Sequence, residues 1–250
     1  MIGFQKRWGL WRLARRVRNT LSPRPAKLPE RHVIVFPQQS IAYIRVPKAA
    51  NTSIRTALAA AFDLVEEGSL IPSKDRFWAD LDQERAHSLT LEAFDALRQV
   101  QPVWCFSFVR HPVSRLYSCW NNKVVENTEL STAFQRMGVR RGMGFDEFAD
   151  IVAETPDDFC DLHVQSQASM LTYKGQLLPD FIGKVETISE DWESLCQQVA
   201  ERSGVRLGRL PQKNMRSKAQ PKIAQAVSQR TLEQIKKRYA TDFQLFYPGE

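Results

Sequence analysis

Val-Trp-Cys-Phe-Ser-Phe-Val at 103–109 limits most sharply what this chain can fold into. A nearly continuous apolar run of strand length has no polar face to turn to water. It predicts a central strand covered on both sides. Helices must supply that cover, and helical spacing runs over Ser53–Phe62, Leu89–Val100, Ser114 to about Val125, Phe145–Val152, Trp192–Ser203 and Thr231–Tyr239. Shorter strand-like runs lie at His32–Phe36, Ile41–Val46 and Phe181–Val185, the first two separated by a turn at Pro37-Gln-Gln-Ser40. Strands alternating with helices predict an α/β fold, a three-layer sandwich around a central, mostly parallel sheet.

At 250 residues the chain can bury one sizeable core. Its charge is unevenly placed. Residues 1–27 hold eight basic side chains and no acidic one, so the remainder carries −1 of the overall +7. The near-neutral body gives no support to nucleic-acid binding. The organisation expected is a basic segment at 1–21, a proline-rich linker at 22–31 and one domain at 32–250. On a helix, Phe4, Trp8, Leu10, Trp11, Leu13, Val17 and Leu21 partly segregate from the arginines, as in a membrane-surface helix. A basic tail, a helix packed on the body and an Arg-rich transit peptide are the alternatives. No apolar run reaches the roughly 20 residues of a membrane span, and no signal-peptide core is present. Cys105, Cys119, Cys160 and Cys196 show neither CxxC pairing nor zinc spacing, and no metal is expected. This usage fits a reducing cytoplasm.

Ile41–Ile54 reads as a buried strand, a sharp loop carrying Lys48, and hydroxyl residues Thr52 and Ser53 opening a helix. Backbone N–H groups at a helix N-terminus plus one cation make an oxyanion pocket. The loop is not a Walker P-loop, because GxxxxGK[ST] is absent and the loop holds no glycine. The apolar strand at 103–109 delivers a second basic unit: Arg110 at its carboxyl end, then Pro112 and a helix carrying Arg115 and Ser118 on one face. An arginine fork with a hydroxyl one turn into the next helix can hold a phosphate dianion. Two such units in one sheet predict a ligand with two separated anionic groups.

The segments Arg45-Val-Pro-Lys-Ala-Ala-Asn-Thr-Ser53 and Phe108-Val-Arg-His-Pro-Val-Ser-Arg-Leu-Tyr-Ser118 resemble the signature of Golgi-type carbohydrate sulfotransferases and their bacterial relatives. Ala86-His-Ser88, His163-Val-Gln-Ser-Gln167, Phe181-Ile-Gly-Lys-Val-Glu186, Lys213-Asn-Met-Arg-Ser217 and Tyr239–Tyr247 extend the resemblance over roughly residues 32–248. It implies a P-loop-NTPase-like sulfotransferase fold. It also implies transfer of a sulfuryl group from 3′-phosphoadenylyl sulfate (PAPS), a cosubstrate, to a hydroxyl of a carbohydrate or glycolipid. Carried over by position, Lys48 contacts the sulfonate and bridging oxygen, Ala49, Ala50, Asn51, Thr52 and Ser53 wrap the 5′-phosphate, and Arg110 and Ser118 hold the 3′-phosphate. Asn214 to Ser217 match a loop that closes over the cosubstrate. Asn51 departs from the small residue common near that point in relatives.

The acceptor hydroxyl must lose a proton to a base. His87 matches the position of a histidine between the two motifs in several relatives, with Glu84, then Glu66 or Glu67, as runners-up. His163 with Gln167 is expected to line the acceptor site, His111 to shape the 3′-phosphate turn, and His32 to be structural. The absence of a Golgi anchor favours a bacterial cytoplasmic enzyme, peripheral on the inner membrane face where residues 1–21 engage lipid. The competing readings are a P-loop-like nucleotide-binding phosphotransferase and a non-catalytic, membrane-associated member of the fold. The first expects an acidic residue for Mg²⁺ at the strand end, where this chain has Arg110.

Overall fold

The computed structural model describes residues 32–65, 71–79, 81, 84–211 and 227–250. The segments 1–21 and 22–31 and the candidates Glu66, Glu67, Asn214 and Ser217 lie outside the described residues. In chain order the elements are β1 (Val33–Phe36), β2 (Ile41–Ile44), α1 (Asn51–Ala61), α2 (Asp75–Ala79), β3 (His87–Leu89), α3 (Leu91–Val100), β4 (Trp104–Val109), α4 (Pro112–Trp120), α5 (Thr132–Met137), α6 (Phe145–Glu154), α7 (Gln167–Leu171), a hairpin of β5 (Thr172–Tyr173) and β6 (Gln176–Leu177), β7 (Phe181–Lys184), α8 (Ile188–Ser203), α9 (Gln229–Arg238) and α10 (Ala240–Phe246).

Five strands form one sheet in the order β3-β1-β2-β4-β7. The pairs β2/β4 and β4/β7 are parallel, whereas β1 is antiparallel to both of its neighbours. The sheet is therefore mixed, with β1 reversed and its parallel part at β2–β4–β7. Side chains alternate across it as strand geometry requires. Val33, Val35, Ala42, Ile44, Cys105 and Val109 enter one core with residues of α3 to α7, α9 and α10. Ile34, Phe36, Ile41, Tyr43, Phe106 and Phe108 enter the other, against α1, α2 and α8. Both faces are apolar and both are covered, which makes the three layers.

Local chemistry moves several boundaries. Thr90 caps α3, its hydroxyl accepting from the Ala93 N–H at 3.1 Å. That places Leu89, expected to begin this helix, in the edge strand His87–Leu89 that pairs with β1. Pro112 begins α4, where its missing N–H costs nothing. Asp191 accepts from the Lys184 N–H and the Thr187 hydroxyl, tying the start of α8 to the end of β7.

Gly183 is fixed by close approach. It pairs with Phe108 across β4 and β7, and a Cβ there would stand 2.4 Å from the Phe108 ring. Phe108 is wholly buried, so the ring has nowhere to retreat. Gly183→Ala is expected to destabilise the protein by about 1–3 kcal/mol, as overpacking does. A lowered urea midpoint at unchanged slope would show it, and an unchanged midpoint would refute it.

Candidate functional site

Strands β2 and β4 run parallel with Ile44 beside Ser107, so their following loops leave the sheet at one edge. Ligands of open α/β sheets bind outside that edge. Here a cavity of about 730 Å³ opens, within the usual range for small-molecule sites. Lys48, Ala50, Asn51 and Thr52 line it from the first loop, and Arg110, Ser118, Asn122 and Lys123 from the second unit.

The first loop is backbone-strained. Lys48 (φ 69°) and Ala50 (φ 56°) both occupy the left-handed region without being glycine, at about 1–2 kcal/mol each. Surrounding contacts hold it there. The buried Arg115 donates from Nε to the Pro47 carbonyl at 3.0 Å and from Nη1 to the Gln165 carbonyl at 2.7 Å. Arg115 thus serves the loop's backbone and does not line the cavity beside Ser118. Ala50 is the N-cap of α1 and makes no side-chain cap bond. First-turn N–H groups of a helix have no intrahelical acceptor, and here that turn borders the cavity. Ala49 and Ser53 differ from expectation. Ala49 is buried in the core and its N–H donates to the Val46 carbonyl at 3.3 Å, while Ser53 is buried on the inner side of the helix. Neither lines the cavity. Asn51 lies in the helix, where its Oδ1 accepts from the Tyr43 hydroxyl, and the strained positions are Lys48 and Ala50 before it.

Arg110 is held by its own main chain. Its N–H donates to Gln167 Oε1 at 2.9 Å and its carbonyl accepts from Gln167 Nε2 at 2.8 Å. Asp242, fully buried, in turn accepts from the N–H groups of Gln167 and Ala168. The Arg110 guanidinium reaches the Lys48 carbonyl at 3.4 Å, which brings the two basic units together. After α4 the helix widens into a π-turn, Asn121–Glu126. Such turns re-aim side chains at functional sites. This one sends Asn122 to the Lys48 ammonium at 3.1 Å and Lys123 into the cavity wall.

Burial first, then Lys123 and Arg110, against the opposing pull of Cys119 and Glu126, bring Lys48 down to about 8. Arg110 is lowered too, first by burial, with Glu186 opposing. Two desolvated cations facing one cavity are stabilised when an anion enters it.

His163, expected near the acceptor site, lines the cavity. His87 does not. It opens β3 opposite Val35, which pairs with Ala42, which pairs with Cys105. His87 is therefore level with the amino-terminal part of β4, five residues or roughly 16 Å along the strand from Arg110. Exposed Glu84 precedes it and lies outside the cavity as well. Among the described residues no group of three or more His, Cys, Asp or Glu side chains is placed to hold a metal ion, and no helix is long and apolar enough to cross a membrane.

A model of the sulfotransferase family matches residues 31–248. The chain belongs to the sulfotransferase family. No curated protein and no solved structure matches it significantly.

Sequence reading alone missed how this sulfotransferase domain braces its site. Three C-terminal side chains each hold a different site loop. The Tyr239 hydroxyl donates to the Val164 carbonyl beside His163, Asp242 holds Gln167, and the Tyr247 hydroxyl donates to Glu186. Glu186 also accepts from the His111 N–H and lines the cavity. The signal was available as the run Tyr239-Ala-Thr-Asp-Phe-Gln-Leu-Phe-Tyr247, whose polar members sit in an otherwise apolar helix pattern. Buried polar side chains in such a run need partners.

Proposed function

We propose that the protein transfers the sulfuryl group of PAPS to a hydroxyl of a carbohydrate or glycoconjugate. The observation that carries this reading is that one cavity is lined by both the Lys48 loop and the Arg110–Ser118 unit. PAPS presents a 5′-phosphosulfate and a 3′-phosphate, the two separated anions such a cavity suits. Thr52, the open first turn of α1 and Lys48 hold the 5′ group, and Arg110 with Ser118 holds the 3′-phosphate by charge-assisted bonds.

In-line transfer moves negative charge onto the oxygen that bridges sulfur and the 5′-phosphate. By analogy with phosphoryl transfer, positioning and charge stabilisation do most of the catalytic work. Lys48 is the cation beside that oxygen, and its contact with Asn122 holds it in the cavity before the nucleotide arrives.

Calorimetry tests the reading without knowledge of the acceptor. Adenosine 3′,5′-bisphosphate, the desulfated product, is expected to bind clearly, and ATP far more weakly because it lacks the 3′-phosphate. Equal affinity for the two would remove the case for a 3′-phosphate site and favour an ordinary nucleotide-binding protein.

A further inference from the structure

His163 sits in a short 3₁₀ turn, Leu162–Val164, that begins at Asp161. Asp161 is 8% exposed at its side chain, and its Oδ1 accepts from the His163 main-chain N–H at 2.9 Å and faces the ring Nδ1 at 2.7 Å. Its other oxygen accepts from the Ser131 hydroxyl at 2.5 Å. One carboxylate thus fixes both the turn and the imidazole on it. Tyr239 secures the turn from behind through the Val164 carbonyl. The ring itself remains 29% exposed and lines the cavity.

We infer that His163, oriented by Asp161, is the base that takes the proton from the acceptor hydroxyl. The inference rests on the sulfuryl-transfer reading above. An ionised carboxylate can only accept, so Nδ1 carries the ring proton of a neutral imidazole. Nε2, on the ring edge away from Asp161, is then left with its lone pair on a half-buried ring that lines the cavity. In the transfer step the acceptor oxygen forms the new S–O bond and its proton passes to Nε2. The S–O bond to the 5′-phosphate breaks, and that electron pair leaves with adenosine 3′,5′-bisphosphate beside the Lys48 ammonium. The imidazolium so formed faces Asp161, which stabilises it, and later gives its proton to solvent.

The surrounding charges favour the neutral, proton-accepting ring in the resting protein. Burial lowers the His163 pKa from its usual value, Asp161 opposes this, and the Lys123 and Lys48 ammonium groups lower it again. Burial tends to raise Asp161, but the His163 contacts and the Ser131 hydroxyl outweigh it and hold the carboxyl at about 2. Arg115 on the neighbouring α4 is committed to the Pro47 and Gln165 carbonyls. His87, the base expected from the motif order, is outside the cavity and meets no reacting group there.

The test combines binding, turnover and a titration. His163→Gln should bind adenosine 3′,5′-bisphosphate within a few-fold of wild type. Its kcat for PAPS consumption, measured with a panel of oligosaccharide acceptors and with water, should fall about 10²–10⁴-fold. For wild type, kcat/KM should rise with pH to a plateau, with an apparent pKa below the usual histidine value. That limb should be absent from His163→Gln. In Asp161→Asn it should move to lower pH, because the charge that raises His163 is gone, whereas a merely structural role would leave it in place. Imidazole should partly restore His163→Ala. Independently of any acceptor, the ¹⁵N shifts of the His163 ring should report the Nδ1–H tautomer at neutral pH. Wild type that consumes PAPS while His163→Gln does so equally fast would overturn the assignment and leave the PAPS reading standing, as would an Nε2–H tautomer. Failure of wild type to bind adenosine 3′,5′-bisphosphate would instead overturn the reading beneath it.

Discussion

Replacing Lys48 with methionine should lower PAPS turnover about 10²–10³-fold, the usual cost of removing one group that stabilises charge in the transition state. The same change should stabilise the free protein, and this pairing distinguishes a functional cation from a structural one. Lys48 titrates at about 8 when folded and near 10.4 when unfolded. Between those values the unfolded chain binds more protons, so this group makes stability rise with pH across the window. Its unfavourable contribution is complete below pH 8 and gone above about 10.4. Lys48→Met, which keeps the apolar stem, should therefore raise the urea midpoint at pH 7 and lose that advantage at pH 10. Bound anions favour the charged amine, so adenosine 3′,5′-bisphosphate should take up protons on binding at pH 8 and bind less tightly above it. Calorimetry in buffers of different ionisation enthalpy reads that uptake. A Lys48→Met protein that is less stable at pH 7, or that keeps the same proton uptake, would show that Lys48 has a different role.

What could be read from the sequence divides by the range of the interactions involved. The apolar run at 103–109 announced a doubly covered strand, and the alternation of β4 residues between two cores bears this out. The Lys48 loop and Arg110 were legible because each unit is contiguous: strand, turn and helix start lie within a dozen residues. β3 was not legible, since three half-buried residues carry no period and become a strand only because β1 offers an edge. Which residues of the loop face the cavity was equally hidden. Lys48, Ala50, Asn51 and Thr52 line the cavity while Ala49 and Ser53 do not, and this follows from two left-handed residues that no propensity for lysine or alanine foretells. Which histidine stands at the cavity depended on tertiary register. His87 follows from its place between the two motifs and His163 was expected with Gln167 at the acceptor site, but strand pairing sends the first toward the amino-terminal end of the sheet. The second is carried to the cavity by a turn whose own Asp161 holds the ring, while Ser131 and Tyr239 secure it from two distant parts of the chain.

Arg110→Ala should weaken adenosine 3′,5′-bisphosphate by about 10²–10³-fold, the scale of 2–5 kcal/mol lost when one partner of a buried charge pair is truncated. The fold around it should survive. Both hydrogen bonds that position Arg110 run from its main chain to Gln167, and alanine retains them. The contact given up within the protein is the 3.4 Å approach to the Lys48 carbonyl, long for a hydrogen bond and correspondingly weak. A ligand comparison then isolates the charge. Adenosine 5′-phosphate lacks the 3′-phosphate but shares every other group, so wild type should prefer the bisphosphate strongly and Arg110→Ala only slightly. The difference between those two preferences is the coupling between this guanidinium and that phosphate, freed from changes that affect both ligands alike. If the variant loses both ligands equally, Arg110 acts by shaping the Lys48 loop through its carbonyl, and the two basic units would form one phosphosulfate site instead of a clamp on two anions.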